Sequence, residues 1–331
     1  MKHLLLILTF TTIFFSANSQ ESFEWNTQYL SFFDNREYAQ NPYIQSQTMF
    51  GNRLDISAGF RIDSVHLIQA GVDYLYEFGA DANSIPLFPT LYYSFSNKRF
   101  DFHFGAFPRY KLPNYPTLLL TDTLNYYSPN IEGALINYKG KYGYQNVWAD
   151  WVGRQTETNN ERFLVGTSGI INIKNFFFEN YLYMYHHAAT AIEDSSFHLR
   201  DNGGGAFLFG LDLRENYFFK LSLGSAFSYD RYRPDPYEFH KGLYGKLLLE
   251  YKRFALRFTH YTGESISLGY GDQFYKAKKY TRIDGDLNLI KHKNVSLLFQ
   301  YSAHLFRERI NSSQLIKLKF NINGSRAIKF N

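Results

Sequence analysis

The sequence predicts an all-β fold, a transmembrane antiparallel up-and-down β-barrel of about sixteen strands, on the strength of three observations. Behind an apolar leader, segment after segment alternates apolar and polar residues with period two. The connections are sorted by length, with a tight turn after each even-numbered segment and a longer loop after each odd-numbered one. The 331 residues include 28 Tyr and 33 Phe, an aromatic content of 19% that suits strand faces meeting lipid and its interface.

The leader, MKHLLLILTFTTIFFSANSQ, starts with Lys2, runs apolar from Leu4 to Phe15, and sets Ala17 and Ser19 three and one positions before a cleavage point. Residues 1–19 are therefore expected to be a cleaved signal peptide and 20–331 a single barrel domain. The run is shorter than the roughly 20 apolar residues a spanning helix needs. No cysteine follows it, which rules out a lipidated N-terminus and a disulfide framework. A mean hydropathy of -0.35 is too polar for a helical membrane protein. The formal charge of +5 comes from 35 basic and 30 acidic residues, too even a balance for a nucleic-acid partner.

Taken in order, the segments begin near Phe23, Thr48, Val65, Leu87, Phe100, Ile131, Tyr144, Phe163, Phe177, Gly203, Tyr217, Phe239, Phe254, Tyr280, Val295 and Ser312. The alternation is cleanest where Leu54, Ile56, Ala58, Phe60 and Ile62 oppose Arg53, Asp55, Ser57, Gly59 and Arg61. Phe100, Phe102 and Phe104 likewise oppose Asp101, His103 and Gly105, while Phe207, Phe209, Leu211 and Leu213 oppose Leu208, Gly210, Asp212 and Arg214. Late in the chain Ile283, Leu287 and Leu289 face away from Arg282, Asp284, Asp286 and Asn288, and Ile316, Leu318, Phe320 and Ile322 from Lys317, Lys319 and Asn321. Segments near Ile131 and Phe177 lack this pattern, so about fourteen strands is the competing count.

Periodicity alone does not separate a soluble sandwich, with its apolar face inside, from a barrel whose apolar face meets lipid. The connections do. Tight turns fall at Asp63-Ser64, Asn97-Lys98, Lys139-Gly140-Lys141, Lys174-Asn175, Arg214-Glu215-Asn216, Lys252-Arg253 and Lys291-His292-Lys293. Longer loops lie between them, among them Asp34 to Ser46, Tyr110 to Ser128, His187 to Asn202 and Gly263 to Tyr275. A sandwich has no reason to sort its loops onto two ends, whereas an outer-membrane barrel has short periplasmic turns and long external loops.

The leader, the loop asymmetry, the amphipathic last segment from Gln314 to Ile322 and the near-terminal Phe330 resemble the porin-type outer-membrane barrels of Gram-negative bacteria, of the Bacteroidota kind. The resemblance spans the mature chain but rests on architecture, and Asn331 after the terminal aromatic departs from the pattern. It implies location in the outer membrane, contact with its lipid and lipopolysaccharide, and passage of small polar solutes. A homo-oligomer or a lipoprotein partner also fits the resemblance.

A barrel of about sixteen strands is wide enough to hold water, so a pore is the physical expectation. Its lining would come from the polar faces: Arg53, Asp55, Arg61, Asp101, His103, Trp148, Asp150, Lys246, Glu250, Arg257, Arg282, Asp284, Asp286, Lys317 and Lys319. Both signs occur, so the charges either set a transverse field on solutes or pair across neighbouring strands and stiffen the wall. Trp148 and Trp151 must point to opposite faces of one strand; Trp148 inward, with Asn146 and Asp150, suits a sugar face or a packing contact with an inward loop. That loop is the stretch from Tyr110 to Ser128, whose Leu118, Leu119 and Leu120 are too apolar to sit in water, so it is expected to narrow the channel, cap the rim or meet another protein.

Acidic loops with Glu193, Asp194 and Asp201 and with Asp230, Asp235 and Glu238 lack calcium-site spacing, and the adjacent His186 and His187 lack metal spacing. Neither a metal nor a cofactor is expected. For catalysis the best candidate is His260, on the outward face behind Phe254, Leu256 and Phe258, with Ser265 and Ser267 close in sequence. No tight His-x-Ser pattern accompanies it, so the sequence reads as a non-enzymatic channel for passive diffusion. The alternatives are a barrel subunit of an export or assembly complex with a blocked lumen, and an outer-membrane lipase or deacylase.

Overall fold

The computed structural model describes residues 21–81, 86–113, 115–192, 199–214, 217–307 and 309–328. The predicted leader, Glu193 and Asp194, and the terminal Phe330 lie outside them. Sixteen strands run in chain order: β1 Glu21–Glu37, β2 Gln47–Ile62, β3 His66–Glu77, β4 Leu87–Ser96, β5 Phe100–Pro108, β6 Asn130–Gly140, β7 Gly143–Gly153, β8 Arg162–Ile173, β9 Phe176–His187, β10 Arg200–Arg214, β11 Phe218–Tyr232, β12 Glu238–Tyr251, β13 Phe254–Gly263, β14 Lys279–Lys291, β15 Val295–Phe306 and β16 Arg309–Ile328. Each pairs with its sequence neighbour, and β1 pairs antiparallel with β16 from Glu21↔Ile328 to Glu37↔Ser312, so the sheet closes and no edge is left. Sixteen, not fourteen, is the count.

The outer wall carries the apolar stripes. Phe209, Leu91, Leu223, Phe60 and Phe104 all leave more than half their surface exposed, and similar residues ring the barrel. A water-soluble protein does not tolerate apolar patches of that extent, whereas acyl chains cover them in a bilayer. At the short-turn end Asp63 and Ser64 both take positive φ, 52° and 61°, the left-handed pair that matches the twist of a tight β-hairpin. By the same asymmetry the end bearing long loops faces the cell exterior.

The lumen is not an open tube. The loop after β5, with short turns at Arg109–Lys111 and Leu124–Tyr127, and the loop after β13, with one at Gln273–Lys276, fold inside the barrel. There they clasp each other: Thr121 N donates to Tyr270 O at 2.7 Å and Asp272 N to Thr117 O at 2.9 Å. A side chain on Gly271 would put its Cβ 2.3 Å from Leu118 O, so only glycine allows the two backbones so close. Leu118, Leu119, Leu124, Ile266, Leu268, Phe274 and Tyr275 are buried against wall residues of β4 to β15, and Tyr126 of the plug packs separately with Phe32, Met49 and Leu75 of β1 to β3. At roughly 1.5–3 kcal/mol for each large apolar side chain removed from water, this internal core fixes the plug firmly.

Candidate functional site

The predicted lumenal residues occupy the strand face opposite the lipid-facing stripes, and most are held in charge pairs. Arg53 meets Asp73 at 2.6 Å and also donates to Asn125 O in the plug, while Asp55 beside it is buried with Oδ1 unpartnered. Arg61 pairs with Glu24, and Asp101 with Lys139 at 2.8 Å. His103 Nδ1 lies 2.8 Å from Ser94 Oγ. Lys246 and Lys220 share Glu179 at 2.8 and 2.6 Å, and Glu250 sits exposed opposite Phe218 near the periplasmic end. Arg257 binds Asp286 at 2.5 Å, Arg282 binds Asp284 at 2.7 Å, and Lys317 and Lys319 line the lower β16 wall. Asp150 accepts from Arg109 at 2.6 Å and so anchors the start of the plug loop.

Trp148 does not offer a free face to a solute. Its indole Nε1 donates to Tyr115 Oη at 2.7 Å, the two rings meet edge to face, and the side chain is buried. Opposite it Gly166 has no side chain; a Cβ there would lie 2.6 Å from the indole. Trp148 is thus a seat for the inward loop. The outward His260 has Thr281 Oγ1 at 2.8 Å as its partner; Ser265 and Ser267 leave with the plug loop, where Ile266 and Leu268 are buried. The proposed meeting of His260 with those serines does not form. Among the described residues no group of three metal-ligating side chains occurs.

A different constellation gathers near the exterior end, around a cavity of about 370 Å³ between the plug and the upper walls of β1, β14, β15 and β16. Its lining includes Asp34, Arg36, Asp122, Asp272, Arg282 and Ser313. Arg36 binds Asp34 at 2.8 Å and Asp122 at 3.0 Å, and Arg282 reaches Asp122 at 3.7 Å. Behind this network His304, 1% exposed, places Nε2 3.5 Å from Ser313 Oγ and Nδ1 2.7 Å from Tyr280 Oη. The imidazole stacks on Phe274 at 4.5 Å between centroids, so the plug holds its plane. A hydroxyl, an imidazole within reach of it and a third group orienting the ring form the arrangement that activates a nucleophile.

Two plug carboxylates, both outside the strands, respond to this setting in opposite ways. For Asp122 burial works against ionisation, but Arg36 and Arg282 outweigh it and bring its pKa down to about 2. Asp122 lines the cavity. For Asp272 burial dominates over Arg282 and raises the pKa to about 6. Its Oδ1 still accepts from Phe274 N at 3.1 Å.

Sequence reasoning passed over Asp34 and Arg36 because they were placed in a loop; β1 in fact runs on to Glu37. His304 and Ser313 carried a faint signal, since Ser302 and His304 share one face of β15 opposite Tyr301 and Ala303. Nothing in the sequence said that β15 and β16 bring them together.

Comparison with known proteins adds two findings. In fold the chain is similar to OpdK from Pseudomonas aeruginosa, with 6% identity, a TM-score of 0.51, and 91% of this chain and 99% of that one covered. It is also similar to OmpF from Salmonella typhi, solved in complex with daunomycin, with 11% identity, a TM-score of 0.52, and coverage of 90% and 97%. No curated protein sequence matches. The fold is thus that of an outer-membrane porin-like barrel. The expectation of a barrel without chemistry is corrected by the second finding. The sequence profile of an enzyme family spans residues 15–325, and the chain belongs to the Lipid A 3'-O-deacylase-type family.

Proposed function

We propose that the protein is an outer-membrane acyl-ester hydrolase that removes a fatty acyl chain from a lipid A-type glycolipid of the outer leaflet. The observation that carries this reading is the Ser313–His304 pair beside a charged cavity at the exterior end of a plugged lumen. His304 Nε2 takes the Ser313 proton as Oγ attacks the ester carbonyl, with Nδ1–H donating to Tyr280 Oη. The glycolipid alcohol leaves with the proton returned by His304, and water then releases the fatty acid from Ser313 by the same relay. Arg36 and Arg282 supply positive charge at the cavity for the developing oxyanion or a substrate phosphate.

The test is mass spectrometry of lipid A from cells expressing the chain: one acyl chain lost with wild type and none with Ser313→Ala or His304→Gln. Unchanged lipid A in all three would sink the proposal. A second reading is passive diffusion of small polar solutes, and the sixteen-strand closure favours it. Discrete current steps in planar bilayers would support that reading, and stoichiometric capture of a lipoprotein by a non-conducting barrel would support an assembly role.

A further inference from the structure

On the opposite side of the barrel, β10 stands six strands from β16, and the lipid-facing wall there carries a charged cluster unrelated to the cavity. Asp201 of β10 is flanked in register by His186 of β9 and Arg231 of β11, all on the outward face. Its carboxylate accepts from Arg231 at 2.6 Å, from Arg233 at 3.1 Å and from His186 at 3.2 Å. Two guanidinium groups against one carboxylate leave a surplus of positive charge. Arg233 keeps half its side chain exposed, and Arg231 Nε is buried without a partner.

The surroundings fix the depth. Arg231 lies 4.0 Å over the Tyr237 ring, and Tyr237 and Phe239 continue the aromatic row on one side. On the other side Trp151 stacks on Phe163 at 5.0 Å and Phe163 lies 4.8 Å from His186. Toward the membrane centre the same face turns to Phe227, Phe207 and Phe178, which are wholly apolar. Charges within an aromatic row just outside an acyl band sit at headgroup level, where the anions available are lipid phosphates.

We propose that this cluster binds a phosphate group of an outer-leaflet glycolipid. Arg231 and Arg233 hold the phosphate oxygens by charge-assisted hydrogen bonds, Asp201 positions both arginines, and the aromatic row takes the sugar and upper acyl carbons. The assignment is independent of the hydrolase reading, because no residue is shared with the cavity.

The experiment is native mass spectrometry of the full-length barrel in neutral detergent, in a Ser313→Ala background so that bound lipid is not turned over. Bisphosphorylated lipid A, its dephosphorylated form and inorganic phosphate are the probes. The bisphosphorylated lipid is expected to bind at least tenfold more tightly than the dephosphorylated one. R231Q combined with R233Q should lose one bound lipid and about tenfold in affinity. Equal binding of both lipids, or no loss in the double arginine variant, overturns the proposal. Displacement of the lipid by equimolar inorganic phosphate also overturns it, in favour of a free-anion site. The barrel's resistance to unfolding in SDS without heating checks that each variant is folded, and the comparison of the two lipids on the parent protein stands without any arginine variant.

Discussion

Ser313 and His304 face each other across a 3.5 Å gap because consecutive strands put them on the same inward face, two residues out of direct register. Replacing Ser313 by alanine removes the nucleophile and leaves the wall intact, so acyl release should fall at least about 100-fold with unchanged heat resistance. His304→Gln should do the same, whereas Tyr280→Phe, which removes only the orienting oxygen, should cost about tenfold or less. Measured release rates that do not follow this order argue against the dyad. Gly166→Ala tests a different residue-scale contact. The added methyl displaces the Trp148 indole, breaks its bond to Tyr115 and should destabilise the plug by about 1–3 kcal/mol. Hydrogen exchange in residues 115–124 should rise while the strands stay protected.

The plug is where loops behave as a core. Leu118 and Leu119 are fully buried, and Leu118→Asp would put an unpaired carboxylate among them, with loss of plug docking and appearance of ion conductance in planar bilayers. A silent variant would mean that the wall closes the lumen without the loop. Asp272 gives the same element a pH dependence. Its folded pKa, about 6, lies above the unfolded value near 3.9, so the folded plug holds the proton more tightly than the released loop does. The stability tied to that proton is complete below about pH 4 and is lost as pH rises through 6. Asp122 works in the other direction, its contribution present above the unfolded pKa and lost as pH falls through about 2. Plug protection by hydrogen exchange should therefore decline between about pH 4 and pH 6.5, and Asp272→Asn should flatten that decline.

At the scale of the whole barrel, the closed ladder from β1 to β16 separates two chemical surfaces. Outward Phe, Leu and Ile meet acyl chains, and the inward pairs Arg53–Asp73, Arg61–Glu24 and Arg257–Asp286 stiffen a wall that no solvent-facing core supports. Breaking a buried charge pair such as Arg53–Asp73 leaves the partner unpaired at a cost of about 3–5 kcal/mol. Asp73→Ala should thus lower the temperature at which the barrel unfolds in SDS, through Arg53 and its link to the plug; an unchanged transition would show that Arg53 is solvated instead. Fold likeness to porins and membership of a deacylase-type family describe the same molecule at different levels, since one fold can host unrelated functions.

Sequence alone determined the antiparallel barrel and its membrane, with sixteen strands as the leading count over fourteen, because period-two alternation and loop length are local properties that every hairpin repeats. It blurred β6 and β9 for a physical reason: Ile131, Leu135, Tyr181, Tyr183 and Tyr185 are apolar or aromatic residues turned inward, where a wet lumen would call for polar ones. Those positions are the floor on which the plug rests, and that floor exists only once two loops far apart in the chain have folded into it. The same holds for the cavity. Asp34, Asp122, Asp272, His304 and Ser313 come from five separate stretches, and only closure of β1 against β16, together with the inward fold of the loops, brings them to one place.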